Sequence, residues 1–297
     1  MTLSSQILQY ILTGITIGSI YGMVALGFNI IYNATGIINL AQGEFVMLGA
    51  LIMVSLTQAL GLPMVLGFFL SVIMVTLIGA LFERLAIHPL KNPSVITLII
   101  ITIAVSILLK GGAMFIWGKE VHTLPAFSGE KPISLGGATI LPQTLWILGA
   151  MGGIVVSLSL FFKLTLVGKA MKACAVNRVA AQLVGINVKA MVLLSFALSA
   201  AIGAVAGIVI TPIALMDYER GTMLAVKGFC VAVLGGLGSG VGAVLAGFIL
   251  GIMESLGAGF ISSRYKDAIA LIVLLLVLFL RPTGLLGTSE KREMRRF

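Results

Sequence analysis

Apolar runs of about 20 residues recur along almost the whole chain, and a run of that length can cross a bilayer as a helix. In hydrocarbon no water is present to satisfy backbone polar groups, so a spanning chain is confined to helices or a closed barrel. The barrel is disfavoured here because no apolar–polar alternation runs between turns. The 36 glycines suit the helical solution, since small residues let helix backbones approach closely in lipid. Only 10% of the 297 residues are charged, against about 25% in a soluble domain. With a mean hydropathy of +1.17, a soluble helical bundle would lack the charge to cover its surface. The expected fold class is all-α: a single polytopic transmembrane helical bundle across residues 1–297.

Hydropathy places spans near 8–31, 37–59, 64–82, 95–116, 142–162, 190–212, 223–237, 241–262 and 267–281. The N-terminus has no basic region before its first apolar run and no small-residue cleavage site, so that run is read as a retained span. Orientation follows from where the cations fall. Arg84, His88 and Lys91 put the 83–94 connection inside. The connection 163–189 is also inside, because Lys163, Lys169, Lys172, Arg178 and Lys189 cluster there with no acidic residue among them. Lys119, Glu120, Glu130 and Lys131 cancel in the external loop 118–140, and Asp217, Glu219 and Arg220 mark a second external loop, 213–221. Arg281, Lys291, Arg292, Arg295 and Arg296 bring the C-terminus back to the cytoplasm. The net charge of +9 is thus a topology signal, and nucleic acid is not an expected partner.

Asn33 to Gly43 interrupts the second apolar run and reads as a short span or a re-entrant turn, which gives eight to ten spans including broken segments. Within it, Asn39, Gln42, Gly43 and Glu44 are candidates for the translocation path, because polar groups in hydrocarbon must be paired or face a cavity. The competing role is structural, capping the break and pinning one helix to its neighbours. Lys227 and Glu254 lie in consecutive late spans and are candidates for an intramembrane structural pair, with substrate contact as the alternative. Lys110 is expected to snorkel to the nearer surface. The segments around Glu44 and Glu254 each join a glycine-rich break to a helix with one acid, a pattern consistent with an internal repeat or with chance.

The segment GKAMKACAVNRVAAQLVG, 168–185, is basic, amphipathic and rich in small residues between spans that are almost wholly apolar. Gly168 and Gly185 bracket a short helical stretch; Ala170, Ala173, Ala180 and Ala181 contribute a small-residue surface, and Asn177 and Arg178 add polar contacts. Such a helix can dock a cytoplasmic partner; the alternative is a helix lying on anionic lipid. No enzyme site is visible: His88 and His122 are isolated, and there is no HExxH, GxSxG or phosphate loop ending in Gly-Lys-Ser/Thr. If ATP drives this chain, another chain must bind it. Cys174 and Cys230 have neither metal-ligand spacing nor a disulfide framework.

These motifs resemble the membrane permeases of branched-chain amino acid ABC importers, of the LivH type. The resemblance covers essentially the full length. It is carried by GSIYGMVALGFNIIYNATGIINLAQGEFVMLGA (18–50), ERLAIHPLK (83–91), GKAMKACAVNRVAAQLVGIN (168–187), GFCVAVLGGLGSGVGAVLAGFILGIMES (228–255) and RPTGLLG (281–287). It implies an ABC importer permease in the bacterial inner membrane. Two related permeases would form a heterodimer, two ATP-binding subunits would dock beneath them, and an external binding protein would deliver leucine, isoleucine or valine. ATP and Mg would be used by the partner subunits, with no cofactor or metal bound by this chain. By the same resemblance 168–187 is the segment that couples to an ATPase, with Gly168, Ala173, Asn177, Ala181 and Gly185 on its characteristic positions. Urea and short-chain amides are alternative substrates within the family. Outside it stand an ion-coupled carrier using Glu44, Glu254 or Lys227, which leaves the basic connection unexplained, and a membrane scaffold, which would lack a continuous polar route.

Overall fold

A computed structural model describes residues 3–90, 93–281 and 283–286. Lys91 and the tail cations Lys291, Arg292, Arg295 and Arg296 lie outside the described residues. The chain runs α1 (Leu3–Thr35), α2 (Gln42–Val54), α3 (Met64–Phe82), α4 (Val95–Trp117), α5 (Pro142–Leu164), α6 (Leu166–Val176), α7 (Arg178–Leu183), α8 (Val188–Ile210), α9 (Arg220–Gly235), α10 (Gly240–Phe260) and α11 (Lys266–Leu280). One two-stranded hairpin, β1 (Ile133–Leu135) and β2 (Ala138–Ile140), sits in the 118–140 loop. Its two-residue turn is Gly136–Gly137, both at positive φ, the geometry a tight hairpin turn requires.

Among the described residues seven helices are long and apolar enough to cross a membrane. They include α2 and α3 with the π-helical turns that extend them, Ser55–Ala59 and Glu83–Ile87. Two of the nine expected spans, α9 and α11, have only 16 and 15 residues. At 1.5 Å per residue they reach about 24 and 22 Å, short of a hydrocarbon core of about 30 Å. In contrast α1 has 33 residues, longer than the expected 8–31 run at both ends. Nothing in its sequence stops it before Gly36, whose φ of 70° terminates the helix.

The helices form two shells. Most of α1, α2 and α8 is buried, whereas few residues of α4 and α5 are, so the second group presents many of its leucines, isoleucines and valines to lipid. Glycines set the spacing inside. The α1–α10 contact joins Gly14 and Gly18 to Gly247 and Gly251, and a Cβ at Gly18 would stand 2.4 Å from the Gly247 carbonyl oxygen. Close backbone approach of this kind is how helices associate where water gives no hydrophobic drive.

The two ends of the bundle are distinguishable by their hydrogen bonds. At one end the Gln9 amide brackets Thr139 (2.7 and 3.0 Å), His122 and Met216 exchange backbone bonds, and Gln58 donates to the Thr123 carbonyl. The start of α1, the 118–140 loop and the 211–219 loop therefore share a face. At the other end Asn29 and Asn33 of α1 donate to the carbonyls of Ser239 and Gly238. The same end holds Leu285 and Leu286, which donate to the last carbonyls of α9. Lys163 and Lys172, from α5 and α6, border a cavity with Asn29, Asn33 and Gly238, so α6 belongs to this second face.

Candidate functional site

The expected break lies at residues 36–41, and the chain there is buried rather than looped out. Asn39 Oδ1 accepts from the Ala41 N–H at 3.1 Å and steadies the turn into α2, while Asn39 Nδ2 is buried without a partner. The Leu40 N–H donates to Thr102 Oγ1 of α4. Gln42 is fully buried: its Nε2 donates to the Ser199 carbonyl at 3.2 Å, and the Ser199 hydroxyl donates to its Oε1 and lies against the Gly27 carbonyl. Gly43 meets Gly221 backbone to backbone; a Cβ at Gly43 would fall 1.9 Å from the Gly221 oxygen.

Glu44, also fully buried, accepts at Oε1 from Ser106 of α4 (2.9 Å) and Thr222 of α9 (3.2 Å). It stands in the first turn of α2 beside the first turn of α9, where two helix N-termini supply positive potential to a carboxylate. Asn39, Gln42, Gly43 and Glu44 thus tie α2 to α1, α8, α4 and α9. None of the four borders either of the two cavities described here. The level of this junction also explains why α9 is short: it begins beside Ser106 and Lys110 of α4, below the loop face. The break meets the start of α9; the 236–239 turn of the segment it resembles is held instead by Asn29 and Asn33. Lys110 reaches across to Glu219 (3.9 Å) and the Tyr218 ring instead of only to a surface.

Lys227 and Glu254 do meet, with Nζ 2.5 Å from Oε1. Sequence reading missed the third member: Asp267 Oδ1, at the start of α11, lies 2.7 Å from the same ammonium. Lys266 Nζ stands 3.8 Å from Glu254. An acidic residue opening the last apolar run was the available signal. Lys227, Lys266 and Asp267 border a cavity of about 720 Å³ on the loop face, together with Arg220, Asp217 and Glu219. The same cavity also has an aliphatic lining, from Ile17 and Ile20 of α1, Ile147 of α5 and Ile210 of α8.

The basic connection is two helices, not the single stretch expected between Gly168 and Gly185. Thr165 caps α6 by accepting from the Gly168 N–H, and Asn177 ends α6 and caps α7 by accepting from the Ala180 N–H. Gly168 lies inside α6, where a Cβ would stand 2.3 Å from the Phe161 carbonyl; its role is to let α6 fold tightly against α5. Gly185 follows α7 at φ 86° in open space, a left-handed position that favours glycine. Ala181 is buried against Cys174 and Val188, and Ala173 is half-buried, so neither is a freely exposed docking surface. Asn177 and Arg178 are exposed. Of the four alanines Ala180 is exposed, but the larger exposed apolar side chains are ones the small-residue pattern did not single out: Val176, Val179, Leu183 (83% exposed) and Val184 (76%). Burial pushes the Cys174 thiol above its ordinary value, against the opposing effect of Arg178.

Fold and site together define a polytopic helical membrane protein with broken helices, an intramembrane ion-pair cluster beside a cavity, and a helix pair projecting from one face. Residues 10–278 match the family described as branched-chain amino acid transport system / permease component, and the chain belongs to that family. It is 32% identical over 302 residues to the high-affinity branched-chain amino acid transport system permease protein LivH of Salmonella typhimurium, covering 97% of each chain. The corresponding protein BraD of Pseudomonas aeruginosa is 33% identical over 302 residues, covering 97% of this chain and 98% of BraD. The ribose import permease protein RbsC of Haemophilus influenzae is 28% identical over 288 residues, covering 92% and 84%.

Proposed function

We propose that this chain is the membrane-spanning subunit of an ATP-driven importer of leucine, isoleucine and valine. The relatives that match it across nearly full length are named as permeases for those amino acids. It works beside a second, homologous permease; two separate ATP-binding subunits hydrolyse ATP with Mg, and an external binding protein supplies the amino acid. The chain itself is non-catalytic and binds no cofactor. The face bearing α6 and α7 is cytoplasmic, with the C-terminus on the same side, and the face bearing the 118–140 and 211–219 loops receives the binding protein. The cation cluster of 163–189 supports that orientation.

The observation that carries the reading is the α6–α7 pair. Its Val176, Val179, Leu183 and Val184 are exposed and form an apolar patch on helices that also carry Lys169, Lys172 and Arg178. Such a patch fits a protein cleft better than water. A push on it has a direct mechanical route into the bundle. Gly168 keeps α6 in backbone contact with α5, and Ala181 packs on Cys174 and Val188, which joins α7 to α6 and α8. Ser199 of α8 in turn holds Gln42 at the break. Rigid units linked this way tilt together, opening the path alternately to either side.

The test is co-purification. Val179→Asp and Leu183→Asp are expected to abolish recovery of the ATP-binding chains while leaving the permease at normal abundance in the membrane. Undiminished recovery from both variants would contradict docking at α6–α7.

A further inference from the structure

The cavity on the loop face is lined by two kinds of side chain. Arg220, Lys227, Lys266, Asp267, Asp217 and Glu219 are charged, whereas Ile17, Ile20, Ile147 and Ile210 are aliphatic; Tyr21 joins the two sets, its ring 5.4 Å from the Lys227 ammonium. Its volume of about 720 Å³ is in the range of small-molecule sites, roughly 300–1,000 Å³. A lining of one sign would select an ion, and a wholly apolar lining would reject any charge. Cations and carboxylates together, in one cavity with aliphatic side chains, match a molecule with both charges at one end and a hydrocarbon branch at the other.

The ion cluster is built for exchange. Lys227 touches two carboxylates, but they are not equivalent: Glu254 is fully buried, while the Asp267 side chain is 57% exposed. Releasing Glu254 would leave a fully buried carboxylate with only Lys266 at 3.8 Å, and its Oε2 already has no hydrogen-bond partner. Releasing Asp267 costs less, because it can turn to solvent or to a new cation. We propose that this cavity is a docking site for a zwitterionic aliphatic amino acid. The substrate carboxylate replaces Asp267 on Lys227, the freed Asp267 receives the substrate ammonium group, and the isoleucines take the side chain. Every charge keeps a partner throughout, and Glu254 holds the lysine in place. The proposal deepens the reading of this chain as an amino acid permease and rests on it; it assigns to the permease a recognition step of its own.

The test uses the complete transporter complex in proteoliposomes with Leu224→Cys, a residue of the cavity lining. Both native cysteines are buried, which keeps background labelling low. Leucine is expected to slow maleimide labelling of that position several-fold at millimolar concentrations. Leucinamide, lacking the carboxylate, and 4-methylpentanoate, lacking the ammonium group, are expected to give no protection. Adding Asp267→Asn, which leaves the Lys227–Glu254 pair intact, should raise the leucine concentration needed for protection about tenfold. If that variant does not reach the membrane, the three-compound series decides alone. Equal protection by all three compounds, or none by leucine, overturns the assignment. ATP-dependent leucine uptake by the same vesicles separates the two readings: uptake without protection leaves the permease function standing and removes only this site.

Discussion

Glu44 and Glu254 are both fully buried glutamates in the same helical bundle, yet they are accommodated in opposite ways. Glu44 is answered by neutral donors, the hydroxyls of Ser106 and Thr222, at the meeting of two helix N-termini. Glu254 lies far from the start of its helix and is answered by an ammonium group, with a second carboxylate sharing that cation. The difference is one of purpose as well as position. Hydroxyls and helix ends make a fixed junction, whereas an ion cluster beside a cavity has a partner it can exchange.

The comparison predicts unequal responses to substitution. The largest belongs to Lys227→Met, which removes the closest partner of Glu254 and leaves only Lys266 at 3.8 Å; breaking a buried pair costs about 3–5 kcal/mol. Loss of folded protein in size-exclusion profiles is the expected result, and adding Glu254→Gln should restore most of it. Recovery of folded Lys227→Met alone at wild-type levels would show that the cluster is not structurally coupled. Next comes Gly43→Ala, which drives a methyl group into the Gly221 carbonyl and should lower stability by about 1–3 kcal/mol in thermal unfolding. Glu44→Gln should cost less than about 1 kcal/mol, since the amide oxygen still accepts from both hydroxyls. Its uptake is expected to remain near wild type; lost uptake at normal abundance would mean that the charge itself is needed. The smallest effect falls outside the junction, at Gly111→Ala in α4, where nothing lies within 4 Å; stability should hold or rise by up to about 1 kcal/mol.

Much of the architecture was legible because long apolar runs permit few structures in lipid. The spans in α3, α4, α5 and α10 lie within a few residues of where hydropathy put them, and the break before Gln42 follows its polar and glycine residues. Depth was not legible. Hydropathy cannot tell that α9 begins below the surface, since that depends on Gly43 and Gly221 meeting across 178 residues of chain. Nor could periodicity separate exposed from buried positions in α6–α7. Alanine suits both a docking face and an internal contact, and the Asn177 cap that divides the helices turned Ala181 inward and left Val179 and Leu183 outward. The Lys227–Glu254 pairing was suggested by composition alone, while Asp267 joined it only through the packing of α11 beside α9 and α10.

The central claim is that an external motor drives this chain through α6–α7. Leucine uptake into proteoliposomes containing both permeases and the ATP-binding subunits, fed by the loaded binding protein, tests it most directly. The account predicts uptake that requires ATP and falls to background in Leu183→Asp, with the permease still folded. Full-rate uptake without the ATP-binding subunits, or unchanged uptake in Leu183→Asp, would contradict it.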